Sequence, residues 1–294
     1  VVGDLSVGSG LSDFLDKDLL APLLNPNSDQ FRFGLATYLD EADFFFRFLR
    51  ERSVLRPNTD VLEIGSGIGA LSLMMSAVAG RVLSLEPSSP GFERVVEYRS
   101  QIIKSFVGSS TLPDFRDAEV DSLEEHEGLF DLAICVNVLE HVPKYLDLIT
   151  HTYGLLKPGG RALFVFPNYS FPYEPHFEIP ILFTKSVTRF FFRKIIVSSR
   201  LVSNPVDHWE DLSWPTQKKV ATHLMSSGIP AVFGNDLIMQ YLRRLDDPEF
   251  IRRKSWPFSA FKPLLKFLAP LFFRLPPAIS PIVECWVRKP EISS

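Results

Sequence analysis

The residues best placed to do chemistry lie in one short run. Val61–Leu71 reads VLEIGSGIGAL, an apolar strand, a glycine loop and the start of a helix. Glycines at such a junction let the backbone adopt positive φ and approach a ligand closely. The amides that open the helix can receive an electronegative group. Two registers fit. Gly65, Gly67 and Ala70 satisfy GxGxxG/A, the fingerprint of dinucleotide sites. Gly65, Gly67 and Gly69 equally satisfy GxGxG, with Ser66 between the first two and Glu63 ahead of them. Glu86 ends the next apolar run, about 20 residues beyond the loop, where a carboxylate accepts from both hydroxyls of a ribose. Its plainer reading is a surface acid beside the Pro87-Ser88 turn. An adenosine ligand suits both registers, so the loop and the acid define a nucleoside site without naming the rest of the ligand.

A second set of polar residues follows later apolar runs. Phe130–Pro143 reads FDLAICVNVLEHVP, with Asn137, Glu140 and His141 just past the strand-like part. An unperturbed histidine titrates near neutrality, so His141 suits a general base; the alternative is a helix-start residue bonded to backbone. Glu140 stands at a strand-to-helix turn, where an acid supports the helix N-terminus or a ligand. Pro167–Pro180 (PNYSFPYEPHFEIP) offers Tyr173, Glu174 and His176 among prolines that stiffen the segment, and VDHWEDLSWP adds His208. Binding residues concentrate on loops at the carboxyl ends of sheet strands, which makes these four candidates for holding a substrate. The alternative is a packed surface loop with His176 satisfied by backbone. Glu174, His176 and His208 match no common ligand spacing, so no metal is predicted.

The elements that must position these groups alternate. Helical periodicity over 11–56, with Phe44, Phe45, Phe48 and Leu49 on one face, ends at Pro57-Asn58. Strands are predicted at Val61–Ile64, Arg81–Leu85, Asp131–Val136 and Arg161–Phe166, separated by helices over Leu71–Ala79, 92–104 and about 143–156, with a tight turn at Pro158-Gly159-Gly160. Such alternation means βαβ units and a parallel sheet, and near-continuous apolar runs such as DLAICV fit strands covered on both faces. The chain divides into a helical N-terminal cap (1–57), a core (58–166), an insertion (167–214), a return to the core (215–234), a helical Phe-rich insertion (235–280) and a last strand with tail (281–294).

Glu63 helps choose the register. An acid before the first glycine attracts an ammonium, whereas a pyrophosphate site disfavours negative charge there. With FDLAICVNVLEHVP and Leu155–Gly160 (LLKPGG) added, the chain resembles class I S-adenosylmethionine (SAM)-dependent methyltransferases of the ubiquinone-biosynthesis and general small-molecule type, over about 60–170 and again in the last strand. The resemblance implies a Rossmann-like three-layer α/β/α fold. Its sheet would be seven-stranded and mostly parallel with a reversed last strand, plus helical insertions. It implies that Glu63, Gly65, Ser66, Gly67 and Gly69 line the methionine end of SAM, and that Glu86 with Pro87 holds the ribose. Asp117 and Ala118 would flank the adenine, the acid receiving its amino group. Asn137 would lie under the sulfonium or methionine, with Glu140 and His141 at the mouth of the acceptor pocket. The implied reaction moves a methyl group to an oxygen or carbon of a small or lipid-linked molecule and releases S-adenosylhomocysteine (SAH). Much of its catalysis is alignment. A base is needed only for a protonated acceptor, with His141, Glu140 and His176 as candidates.

Charge bounds the partners. Residues 1–180 hold 14 Lys+Arg and 26 Asp+Glu, net −12; residues 181–294 hold 17 and 9, net +8, recovering the overall −4. The acidic core is a poor footprint for nucleic acid, and no Pro-Pro-aromatic follows Asn137 as in enzymes that methylate exocyclic amines, so no nucleic-acid partner is expected. In the basic half, lysines and arginines interleave with Phe and Leu, as in FSAFKPLLKFLAPLFFRLPP (Phe258–Pro277). That reads as a lid over the sheet or as a surface resting on a membrane. The competing functions are an NAD(P)-dependent oxidoreductase on the GxGxxA register, a nucleic-acid methyltransferase, and a SAM-binding protein without activity. Two distant cysteines, Cys135 and Cys285, exclude a disulfide framework, and Val1–Gly10 lacks a signal-peptide pattern, so a cytoplasmic protein is expected.

Overall fold

The computed structural model describes residues 35–88, 93–105, 112–124, 129–202, 204–244 and 276–291. Its elements begin with α1 (Leu35–Glu51), β1 (Asp60–Ile64), α2 (Ala70–Ser76), β2 (Arg81–Leu85), α3 (Glu93–Ser105), β3 (Asp114–Arg116), β4 (Phe130–Val136), α4 (Tyr145–Gly154) and β5 (Leu156–Pro167). A two-stranded hairpin follows, β6 (Tyr173–Glu174) and β7 (Ile179–Pro180), then α5 (Lys185–Val197), α6 (Pro205–Asp211), α7 (Gln217–Ser226), β8 (Ala231–Gly234), α8 (Asp236–Arg243) and β9 (Ile282–Arg288). The sheet has seven strands in the order β3-β2-β1-β4-β5-β9-β8. β1, β2 and β3 pair in parallel, and β8 with β9 antiparallel. This is the doubly wound α/β arrangement expected from the sequence, and β1, β2 and β4 are buried along nearly their whole length, as strands covered on both faces must be.

The chain packs as two compact units that part within β4 and β5. The first holds the described residues up to Ile134, with Gly154–Arg161 and the last residues from Pro290. Its α1 buries Phe44, Phe45, Phe48 and Leu49 and packs against α2, whose residues are all buried. Lys157 bridges Asp60 (2.6 Å) and Asp131 (2.8 Å), and Asp131 also accepts from the Asp60 amide at 2.8 Å. The lysine of LLKPGG thereby joins the starts of β1, β4 and β5.

Two boundaries differ from expectation. The Pro158-Gly159-Gly160 run is no turn: β5 runs unbroken from Leu156 to Pro167. Gly159 sits at φ 80, and a Cβ on Gly160 would stand 2.8 Å from the Lys157 carbonyl and 2.9 Å from that of Phe130. The glycines let the strand kink against its neighbour without leaving the sheet. The first helical stretch, expected over 11–56, spans Leu35–Glu51 among the described residues.

In the second unit, the first insertion folds around a core of its own: Phe177, Ile179, Ile196, Trp209 and Leu212. Its helices carry the caps that their sequences offer. Thr184 accepts from the Val187 amide ahead of α5, and Thr216 from the Lys219 amide ahead of α7. Asn168 is buried and satisfied on both sides. It donates to the Ala278 and Ser280 carbonyls (2.9 Å each) and accepts from the Ser170 and Gln217 amides. The second insertion opens with α8; most of 235–280, including all but the last two residues of FSAFKPLLKFLAPLFFRLPP, lies outside the described residues.

Candidate active site

The first unit gathers the glycine loop and its acids at the carboxyl ends of β1, β2 and β3, the edge where open α/β sheets bind ligands. The Gly65 and Ser66 amides donate to the Leu85 carbonyl (2.8 and 3.0 Å), and the Glu86 amide to Arg116 (3.1 Å). The glycine loop is thus stitched to the end of β2, and β2 to the end of β3. Gly65, Gly67 and Gly69 all have positive φ (71, 53 and 78°), whereas Ala70 already belongs to α2. The backbone therefore uses the GxGxG register. A Cβ on Gly69 would stand 2.6 Å from Phe115, while one on Gly67 would meet nothing within 4 Å, so the open face of the loop lies over Gly67.

Acids and one base hold this loop. Glu86 accepts from the Gly67 amide at 2.7 Å, and Arg99 of α3 donates to the Gly67 carbonyl from Nε (3.0 Å) and Nη2 (2.9 Å). The two peptide groups that flank the Gly67 Cα are thus each held by a charged side chain. Burial raises the Glu86 carboxyl, opposed by the Gly67 amide and Arg99. Glu63 is buried and accepts a short hydrogen bond from the Ser72 hydroxyl; burial pushes its carboxyl up to about 8. Asp117 is exposed and accepts from the Ser88 amide at 2.7 Å and from its hydroxyl, which hold it below the usual range. Ala118 follows it in the loop after β3, and Pro87 separates Glu86 from Ser88. Tyr38 of α1 also senses Glu86: burial first, then Glu41, Tyr98 and Glu86 push its phenol up to about 12. Sequence reasoning missed Arg99 and Tyr38. Neither belongs to a motif, and only the fold carries Arg99 to the loop and Tyr38 within the influence of Glu86.

The second unit holds the other candidates. Asn137 follows β4 at φ 54 and donates its amide to the Val165 carbonyl at 2.8 Å. The 3-10 turn Leu139–His141 comes next. Here the sequence expectation needs correction: Glu140 is not at a pocket mouth but fully buried, with neither carboxylate oxygen hydrogen-bonded. Burial pushes it up to about 7. His141 does not cap a helix. Its ring packs on His176 (5.2 Å between centroids) and His208 (5.1 Å), which are 5.0 Å from each other. Burial first, and then the neighbouring histidines, push His141 down to about 3; burial and His176 push His208 down to about 4.

Glu174 orders this cluster. Its Oε1 pairs with His176 Nδ1 at 2.7 Å and accepts from the Tyr169 hydroxyl at 3.2 Å, and its Oε2 accepts from the Phe177 amide at 2.7 Å. Burial would raise Glu174, but His176 and the amide hold it low; burial would lower His176, but Glu174 holds it high. Tyr169 in turn stacks on Trp214 at 5.1 Å. Tyr173 is about one-third exposed on β6 (37%). The structure thus brings together His141, Glu174, His176 and His208, three of them from separate insertion or turn segments. It adds Tyr169, which the sequence did not single out.

A parallel α/β sheet whose glycine loop is clamped at the carboxyl edge, with an acid after β2, defines a nucleoside-binding enzyme class. The comparisons narrow it. The family described as "Methyltransferase domain" matches residues 34–223, more than half of the chain. The uncharacterised protein Rv1509 of Mycobacterium tuberculosis is 29% identical over 233 residues, 78% of this chain and 78% of that one. The ubiquinone biosynthesis O-methyltransferase of Xanthomonas campestris pv. campestris is 35% identical over 108 residues, 36% of this chain and 42% of that one. Among solved structures, the plantazolicin methyltransferase BpumL in complex with SAH is similar at TM-score 0.49 and 11% identity, over 93% of this chain and 94% of that one. The chain belongs to the methyltransferase domain family and is a class I SAM-dependent methyltransferase.

Proposed function

We propose that this methyltransferase acts on an oxygen or carbon of a small or lipid-linked acceptor. In this reading Glu63 and the glycine loop, with Ser66, take the methionine end of SAM. Glu86, with Pro87 at its turn, takes the ribose. Asp117 and Ala118 flank the adenine, and Asn137 supports the methionine side. The insertion 167–214 supplies the acceptor side through Tyr173, Glu174, His176 and His208.

The observation that carries the acceptor reading is the Glu174–His176 pair beside His141 and His208. A hydroxyl or acidic carbon must lose a proton when it takes a methyl group, whereas an already neutral amine need not lose one beforehand. Glu174 fixes Nδ1 of His176 and turns Nε2 towards use as a proton acceptor. His141, held down to about 3, is the weaker base of the two. Glu140, buried and unpartnered, acts on these rings by its charge rather than by touching the acceptor.

The lipid-linked part of the proposal rests on α5. Phe183, just before it, is 94% exposed, and Phe190 and Phe191 are 77% and 66% exposed. Arg193, Lys194 and Arg200 stand among them on the surface. Apolar rings flanked by cations fit an anionic membrane surface. No described helix is long and apolar enough to cross a membrane, so the contact would be peripheral. Both cysteines are buried and free, in keeping with a reducing, cytoplasmic setting.

The test is transfer of a labelled methyl group from SAM to a cell extract, separated into lipid, small-molecule, protein and nucleic-acid fractions, with calorimetry of SAM, SAH and NADH beside it. Label in the lipid or small-molecule fraction, lost in Gly67→Arg and in His176→Gln, is the expected result. Label in nucleic acid or protein overturns the acceptor class.

A further inference from the structure

We infer that His141, His176 and His208 form a site for a borderline-soft divalent cation of the zinc class. Each ring offers a nitrogen, and the three nitrogens lie within 4.8 Å of one another. Their ring centroids are 5.0, 5.1 and 5.2 Å apart with interplanar angles of 58–76°, so the rings converge instead of stacking. Zinc–nitrogen bonds of about 2.0–2.1 Å place tetrahedral ligand atoms about 3.3 Å apart. The difference is at most about 1.5 Å.

Three further features favour a shared ligand over packing. First, Glu174 accepts from His176 Nδ1 at 2.7 Å, the carboxylate–histidine arrangement that fixes a ligand tautomer and leaves Nε2 for a metal. Second, Nε2 of His208 is buried with no hydrogen-bond partner, and among the described residues no hydrogen bond joins one of these rings to another. Buried imidazole nitrogens normally find a partner, and one cation at the centre would serve all three. Third, the carboxylate of Glu140, one residue before His141, is fully buried without a hydrogen bond. A buried carboxylate that no hydrogen bond satisfies is costly, and a divalent charge at the centre of the rings compensates it.

The ligands come from the turn after β4, the β6–β7 loop and the first turns of α6. No short spacing links them, which is why the sequence showed no metal motif. An all-imidazole set suits zinc and its neighbours and not magnesium or calcium, which want oxygen. Three protein ligands leave a fourth position for an exchangeable water or an oxygen-donor substrate group. One consequence rests on the acceptor reading above. A hydroxyl bound there loses its proton to solvent more easily, and the cation takes over the task otherwise given to His176.

The test uses the full chain, stripped with a chelator and titrated with Co(II) as a visible probe, with melting and SAM binding followed on the same samples. The expected result is one cobalt per chain with the intense visible bands of four-coordinate cobalt. Zinc should abolish them, His141→Gln and His208→Gln should lose them, and Glu174→Gln should weaken binding about 10–100-fold. A wild-type chain that melts cooperatively yet takes up no stoichiometric cobalt overturns the site, as does uptake unchanged in His208→Gln. Cobalt uptake without SAM binding would instead overturn the cofactor reading and leave the metal site standing.

Discussion

The proposed role of Glu63 predicts that SAM binding depends on pH. Its carboxyl is buried behind the glycine loop and pushed up to about 8 by burial, with Glu86 adding to the rise and Ser72 and Arg99 opposing it. In the ligand-free chain it therefore carries a proton at neutral pH. Receiving the methionine ammonium requires that proton to leave. At about pH 7 the ionisation lies one unit uphill, about 1.4 kcal/mol, or tenfold in affinity. The SAM dissociation constant should fall about fivefold as pH rises from 7 to 8 and about twofold more above 8 before levelling off, and close to one proton should be released per SAM bound at pH 7. Calorimetry in two buffers of different ionisation enthalpy reads the proton directly. Glu63→Gln should bind more weakly than wild type at high pH and show no such slope. The same variant tests the folding side. Between about 4.5 and about 8 the folded chain holds a proton that the unfolded chain has lost. Stability therefore falls as pH rises across that window, and Glu63→Gln should flatten the fall. A dissociation constant independent of pH, with no proton release, would refute the role of Glu63.

Other expectations are simpler. Gly69→Ala forces a Cβ to within 2.6 Å of Phe115 at φ 78 and should cost about 2 kcal/mol or more in urea unfolding. Gly67→Ala meets no neighbour, so it should cost only about 1–2 kcal/mol of backbone strain, while calorimetry shows SAM binding lost because the loop's open face is filled. Asn168→Ala strips the Ala278 and Ser280 carbonyls and two amides of their partner, and a melting curve should show about 2 kcal/mol or more of destabilisation. Phe190→Ser with Phe191→Ser should abolish co-sedimentation with vesicles containing anionic lipid and leave SAM binding unchanged; vesicle binding equal to wild type would remove α5 from the membrane reading.

The two candidate sites were unequally legible, for a physical reason. Around the loop, each chemical need is met by residues near a strand end. Positive φ calls for glycine, the ribose calls for an acid after the next strand, and both needs survive as fixed spacings in one βαβ unit. Periodicity likewise located β1, β2, β4 and β9, because strands buried on both faces have to be apolar throughout. It failed at Pro158–Gly160, where glycines read as a turn but serve a kink inside β5. Arg99 was invisible because a helix surface arginine has no local signature, and only the parallel pairing of β1 and β2 brings α3 over Gly67. The histidine cluster is the stronger case. His141, His176 and His208 were each recognisable as chemically able, yet each separately had a plain structural explanation. Their convergence depends on the insertion closing its own core of Phe177, Trp209 and Leu212, which carries His176 and His208 on residues adjacent in sequence to the core positions. Packing that is long-range in sequence thus assembled a ligand set whose members follow no spacing rule. For the same reason Glu140 was expected at a pocket mouth: its neighbours in sequence are a strand end and a turn, but it is fully buried, with the Ser213 amide bound to its carbonyl. The glycine loop and its acid are therefore written in local sequence, and the histidine cluster in tertiary structure. Substitutions in 167–214 should accordingly change what is methylated, while those in Val61–Leu71 should change whether SAM binds at all.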